Sequence, residues 1–227
     1  ILYLGEAGYG PDDIGIFQAI LVLPFILKIF FGMLSDAVNL FGLGHRKPYI
    51  LIGLLTQAAV ILVAPYVSVA EGLGTYAALL FVGAMAMATY DTCTDGLALD
   101  TTPESERGLV QGIMTGARAG GILVMLVVGG WLAENLGWPA FFLSLVVLTL
   151  LPVPLALMLK EDTRLMRRQP FQWSAFRAFG RGGVMLVALM GLLYSFSLDG
   201  VLTFLSDHLR AAMDVSVGSI GLLVALS

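Results

Sequence analysis

Apolar runs of about 20 residues, separated by short polar or glycine-rich stretches, recur along the chain. Each run is long enough to cross a bilayer as a helix. Ile1 to Asp13 is glycine-rich and acidic and reads as the end of one helix followed by a loop, with Asp12 or Asp13 placed to cap the next helix. Membrane helices are predicted at about Ile14–Ser35, Pro48–Val67, Tyr76–Leu99, Leu109–Ala133, Pro139–Leu159 and Val184–Leu205, and a further one begins near Val217. Pro48 sits in a first helical turn, where its missing N–H costs nothing. In the fifth helix Gly112, Gly116 and Gly120 form a small-xxx-small ladder that lets another backbone approach, either within this bundle or from outside it.

The tract 160–183 differs. It holds Lys160, Arg164, Arg167, Arg168, Arg177 and Arg181, with Phe171, Trp173, Phe176 and Phe179 between polar positions. That pattern suits a short amphipathic helix on an anionic membrane face, and it suits an ordered linker equally. Lysine and arginine also orient the chain. The polar stretches after the second, fourth and sixth helices hold nine of them, and the opposite stretches hold only Arg210. The positive-inside rule places the nine in the cytoplasm.

Composition agrees with a membrane protein: 58% of residues are hydrophobic, 12% are charged and mean hydropathy is +0.91, whereas soluble domains carry about 25% charged residues. A single cysteine, Cys93, excludes an internal disulfide and a cysteine metal cage, and two distant histidines, His45 and His208, argue against a histidine site. No Gly-x-x-x-x-Gly-Lys-Ser/Thr loop is present, so ATP-driven transport on this chain is not expected. No Ser/His/Asp or Cys/His constellation appears. Asp91 and Asp95 could serve an aspartyl enzyme only with a partner carboxylate on another helix. The expectation is a non-enzyme, with no cofactor, no metal and no nucleic-acid partner.

The stretch Gly32–Gly53 organises the rest. An apolar helix stops at Ser35-Asp36, a glycine-rich loop ends in His45-Arg46-Lys47, and Pro48 opens the next apolar run. Asp36 can pair with Arg46 or Lys47, and helix-end carbonyls near Leu34 favour the same cations. The pattern Gly32-x-x-x-Asp36, then glycine and a basic pair, resembles the signature loop of the major facilitator superfamily. Asp100-Thr-Thr-Pro103-Glu-Ser-Glu-Arg107-Gly108 is similar to the superfamily motif at the end of the fourth helix. Leu23-Pro24-Phe25-Ile26-Leu27-Lys28, with Ser35-Asp36 and Arg46-Lys47-Pro48-Tyr49, resembles the folate–biopterin transporter branch, the muropeptide permeases and the light-harvesting-assembly proteins.

The resemblance implies an all-α, polytopic helix bundle of major-facilitator type. Residues 1–159 would then be most of an N-terminal half, 160–183 a cytoplasmic linker, and 184–227 the start of a second half. Because Ile1 is not Met and Ser227 falls inside an apolar run, a whole protein of about twelve membrane helices is expected. The resemblance also implies a network of Asp36, Arg46, Lys47, Asp100 and Arg107 that steadies one of two alternating states. Read from the residues alone, these are solvated loop pairs.

Charges inside helices cost about 2.5–3.5 kcal/mol on insertion scales and face a cavity or a partner. At 1.5 Å per residue, Lys28, Asp91 and Arg118 lie roughly 10–14 Å from the basic ends of their helices, with Asp95 shallower. Asp91 and Asp95 share a face. These four form a cluster that handles substrate or proton, or else a structural pairing that locks the bundle. Asp199, inside the seventh helix, is a further cavity candidate. The expected function is a secondary transporter of a small organic solute, anionic or zwitterionic, working by alternating access with or without proton coupling. The alternative is a non-transporting assembly factor that binds a pigment or a partner membrane protein. Expected partners are the solute, protons and the lipid bilayer, and the expected location is a bacterial inner membrane.

Overall fold

The computed structural model describes residues 2–69, 72–159, 161, 177, 180–211, 213, 215–216 and 219–220, and among them every regular element is helical. The α-helices are α1 (Leu2–Glu6), α2 (Pro11–Ile26), α3 (Lys28–Ala37), α4 (Lys47–Val63), α5 (Leu73–Thr101), α6 (Arg107–Leu136), α7 (Trp138–Leu150), α8 (Val153–Met158) and α9 (Gly182–Ala211). Five stretches are long and apolar enough to cross a membrane: Pro11–Ala37, Lys47–Tyr66, Leu73–Thr101, Glu104–Leu136 and Trp138–Met158.

Two of these spans are broken. The Pro11–Ala37 span tightens at Leu27, where the Phe30 amide donates to the Leu27 carbonyl at 2.9 Å, so α2 ends and α3 starts at Lys28. Pro24, three residues upstream, already lacks the donor that would tie this turn back to residue 20. The Trp138–Met158 span is broken at Leu151-Pro152, because the Pro152 ring crowds the carbonyl four residues before it. At the start of α2, Gly10 is the cap and Pro11 the first helical residue. Asp12 and Asp13 therefore lie inside the first turn, where they meet the positive end of the helix dipole instead of capping it.

α4 is the central helix. It packs against α5, α7 and α8, while α5 also carries α2 and α3, and α6 lies against α7. The closest seam is α4 on α5: a Cβ at Gly53 would stand 2.8 Å from the Ala86 carbonyl oxygen and from the Tyr90 Cβ. Only a residue without a side chain permits that approach. Two buried clusters mark the two ends of the bundle. Ile14, Phe17, Ala64, Tyr76, Ala77 and Phe142 pack at one end, and Tyr49, Ile50, Leu54, Cys93 and Ala156 at the other, which carries Arg46 and is called here the basic end. At the far end Tyr3 stands edge-on to Trp138 and Phe142, with ring centroids 5.2 and 5.5 Å apart, arrangements favoured by aromatic quadrupoles.

The glycine ladder of α6 is not a seam within this bundle. Among the described residues nothing lies within 4 Å of a Cβ at Gly112, Gly116 or Gly120. The amphipathic pattern expected across 160–183 falls almost wholly outside the described residues.

Candidate functional site

The polar positions gather in two places. In the middle of the bundle, Asp91 of α5 holds one cation with each carboxylate oxygen. Lys28 Nζ, at the first residue of α3, pairs with Oδ2, and Arg118 Nη2, from α6, donates to Oδ1 at 2.5 Å. Lys28 Nζ also lies 5.7 Å from the centre of the Phe25 ring, a cation–π distance. Counted from the observed helix ends, the three residues lie roughly 14–17 Å from the basic end, about half the bilayer's hydrocarbon thickness. Their side chains differ in access: Asp91 is 16% exposed, Lys28 30% and Arg118 57%.

Asp95 stands one turn along α5 and makes no ion pair with a described residue. Thr94, between the two aspartates, is exposed and donates its hydroxyl proton to the Tyr90 carbonyl at 2.8 Å. Thr89 and Thr92 do the same to Met85 and Ala88. Gln57 of α4 has a buried side-chain oxygen without a hydrogen-bond donor among the described residues. Asp199 falls within α9, and its side chain lies outside the described residues.

The second site is a knot around Arg46 at the basic end. Arg46 is 8% exposed although it is a loop cation. Its Nη2 lies 2.5 Å from Asp36 at the end of α3, and its Nε 3.3 Å from Asp100 at the end of α5. Nη1 donates at 2.6 Å to the hydroxyl of Ser35, which is fully buried and donates in turn to the Gly32 carbonyl. The guanidinium lies flat against α5 because residue 96 is glycine; a Cβ there would be 2.7 Å from Cζ. One planar, multidentate cation thus ties two helix ends, which a lysine could not do. The carbonyls left over at the end of α3 are used as well: Tyr49 Oη donates to the Val38 carbonyl at 3.1 Å, and the His45 ring nitrogen Nδ1 lies 3.1 Å from the Ser35 carbonyl.

The other two loop cations do different things. Lys47 Nζ donates to the carbonyls of Leu157 and Leu159 at 2.6 and 3.1 Å, at the C-terminal end of α8, where a cation meets the negative pole of the helix. Arg107 is exposed at the start of α6 and forms no ion pair with a described residue; the partner of Asp100 is Arg46. Among the described residues no group of acidic, histidine and cysteine side chains is arranged to hold a metal.

A family model for the Major Facilitator Superfamily matches residues 1–227, the full length of the chain. The chain belongs to this superfamily. It is also 30% identical over 160 residues to the folate-biopterin transporter of Synechocystis sp., a match covering 69% of this chain and 32% of that relative, so the chain spans about a third of the relative's length. No solved structure matches. The chain is accordingly an integral membrane protein with the helix bundle of its superfamily.

Two participants in the Arg46 knot carry no motif: Gly96 and Glu161. The carboxylate of Glu161, just beyond α8, accepts hydrogen bonds from the backbone amides of His45, Arg46 and Lys47. Only the break in hydrophobicity after the Trp138–Met158 span could have drawn attention to it.

Proposed function

We propose that this chain is part of a secondary transporter that moves a small organic solute bearing an anionic group by alternating access, and that it catalyses no covalent step. The observation that carries this reading is Arg118. It is a mid-membrane cation more than half exposed, held by a single carboxylate oxygen, with Lys28 on the other oxygen of the same Asp91. A guanidinium bound on one edge keeps further N–H donors for a carboxylate or phosphate. The name of the Synechocystis relative suggests folate and biopterin as the first solutes to test. In this reading Asp36, Arg46 and Asp100 stabilise one of the two states, Lys47 braces α8, and the basic end faces the cytoplasm of a bacterial inner membrane. Residues 1–159 belong to one half of the transporter and 184–227 open the second. Proton coupling would act through Asp91 or Asp95.

The test is uptake of labelled folate and biopterin into proteoliposomes holding the full-length protein. Asp91→Asn leaves two facing cations without their counter-charge, and saturating uptake should fall by at least about tenfold, the equivalent of 1.4 kcal/mol. Arg118→Gln should weaken apparent affinity more than it slows turnover. Uptake unchanged by both variants would sink the assignment, and co-purification of pigment with no uptake would favour the assembly-factor reading instead.

A further inference from the structure

The loop that presents Arg46 is held by its own residues only as far as Gly44, whose amide donates to Asn39 Oδ1 at 3.1 Å, while the Leu43 amide donates to the Leu40 carbonyl at 3.2 Å. Helix α4 has Arg46 at its cap position and no side-chain cap from neighbouring residues. Its first amides instead reach a carboxylate more than 110 residues away. Glu161 Oε2 lies 2.7 Å from the His45 amide, Oε1 lies 2.9 Å from the Arg46 amide, and the Lys47 amide donates to Oε1. A carboxylate at a helix N-terminus satisfies orphan donors and meets the positive pole of the helix. The approach is close enough to dictate residue 44. Gly44 has φ of +123°, and a side chain there would run into the Glu161 carboxylate. Lys47 closes the clasp from the other side through the Leu157 and Leu159 carbonyls. The backbone that is clamped is the one from which the guanidinium reaches Asp36, Ser35 and Asp100.

We infer that Glu161 is a positioning residue of the Asp36–Arg46–Asp100 knot: by fixing the amides of residues 45–47 it aims the Arg46 guanidinium at both helix ends. Its consequence for transport rests on the function proposed above, but the positioning itself does not. Arg46 has a long, flexible side chain, and reaching two carboxylates on different helices requires its Cα to stay in place. The loop's own amide hydrogen bonds, in the 3-10 turn Leu40–Gly42 and at Gly44, stop short of residues 45–47, whose amides are left to Glu161.

Amide hydrogen exchange on the full-length protein in nanodiscs tests this without any solute. Glu161→Ala should speed exchange of the 45–47 amides by about tenfold. It should also speed exchange at the end of α3 (residues 36–38) and the end of α5 (residues 98–101), where the knot has loosened. Glu161→Gln keeps the size and one acceptor oxygen and should show the same pattern with smaller changes; it carries the test if the alanine variant does not fold. In an Asp36→Asn background, Glu161→Gln should add little at residues 98–101, since the two act through the same guanidinium. Faster exchange confined to residues 45–47 would make Glu161 a local cap only and overturn the inference, as would full additivity with Asp36→Asn. A transport arm with folate should show reduced maximal uptake at unchanged KM. A wild-type protein that takes up no folate would refute the transport reading while leaving the exchange arm to decide this one.

Discussion

Replacing Gly96 by alanine sets two effects of opposite sign against each other. In an unobstructed helix the change stabilises by about 1 kcal/mol, because alanine loses less backbone freedom than glycine. Here the new Cβ would meet the Arg46 guanidinium at 2.7 Å from Cζ, 2.9 Å from Nη2 and 3.0 Å from Nε. The group is the end of a flexible side chain and could retreat, but it is pinned by Asp36, Asp100 and Ser35. The carboxylates are 40% and 39% exposed, so water screens them and each pair is worth about 1 kcal/mol or less. The bond from the charged guanidinium to buried Ser35 is worth about 1.5–3 kcal/mol. Displacement therefore outweighs the helix gain, and Gly96→Ala should destabilise by roughly 2 kcal/mol. In an Arg46→Ala background the obstruction is gone, and the same change should stabilise by about 1 kcal/mol. A four-member cycle of unfolding in detergent, followed by circular dichroism, reads both numbers. If Gly96→Ala stabilises the wild type as much as it stabilises Arg46→Ala, the guanidinium is not held against α5 and the argument fails.

Two further outcomes are expected. Gly53→Ala should destabilise by roughly 1–3 kcal/mol, because its Cβ meets a backbone carbonyl that cannot step aside, whereas Gly112→Ala, with open space around it, should be neutral or mildly stabilising; similar values in thermal unfolding would contradict the observed seam. With Cys93 replaced by alanine, a cysteine at exposed Leu43 should escape an impermeant thiol reagent in whole cells while one at exposed Tyr66 is labelled, and the opposite result would reverse the orientation.

The spans were readable because bilayer thickness sets a length that apolar runs must meet, and their predicted ends differ from the observed ones by only a few residues, except that α9 runs on to Ala211, six residues past the end expected at Leu205. The breaks at Leu27 and Leu151 were not, since Pro24 and Pro152 mark where a helix is weakened and not where the chain yields. Lys28, Asp91 and Arg118 could be assigned to one layer because depth along a helix is simple arithmetic. Which of them touch depends on helix rotation, and that separated Asp91, with two partners, from Asp95, with none among the described residues. Arg46, Lys47 and Arg107 look alike in a charge count. Loop geometry gave the first to two carboxylates, the second to helix carbonyls and the third to solvent. The glycine ladder of α6 showed one face of small residues but could not show whether a neighbour stands there. The close approaches instead fall at isolated glycines such as Gly53, Gly83 and Gly96, which no spacing rule picks out.

The threonines of α5 give the mid-membrane face a chemical polarity. Because Thr94 spends its only proton on the Tyr90 carbonyl, its oxygen turns lone pairs outward. Thr94 and Asp95 stand three and four residues after Asp91, so the three fall on a single stripe. Lys28 and Arg118 occupy both oxygens of Asp91, so the acceptors left on that stripe are those of Thr94 and Asp95, whereas Arg118 on α6 only donates. In the transport reading proposed above, a solute seated beside this ion pair would be read in one direction, with N–H groups turned to Thr94 and Asp95 of α5 and negative oxygens turned to Arg118 of α6. Inverted, it would set donor against donor and acceptor against acceptor.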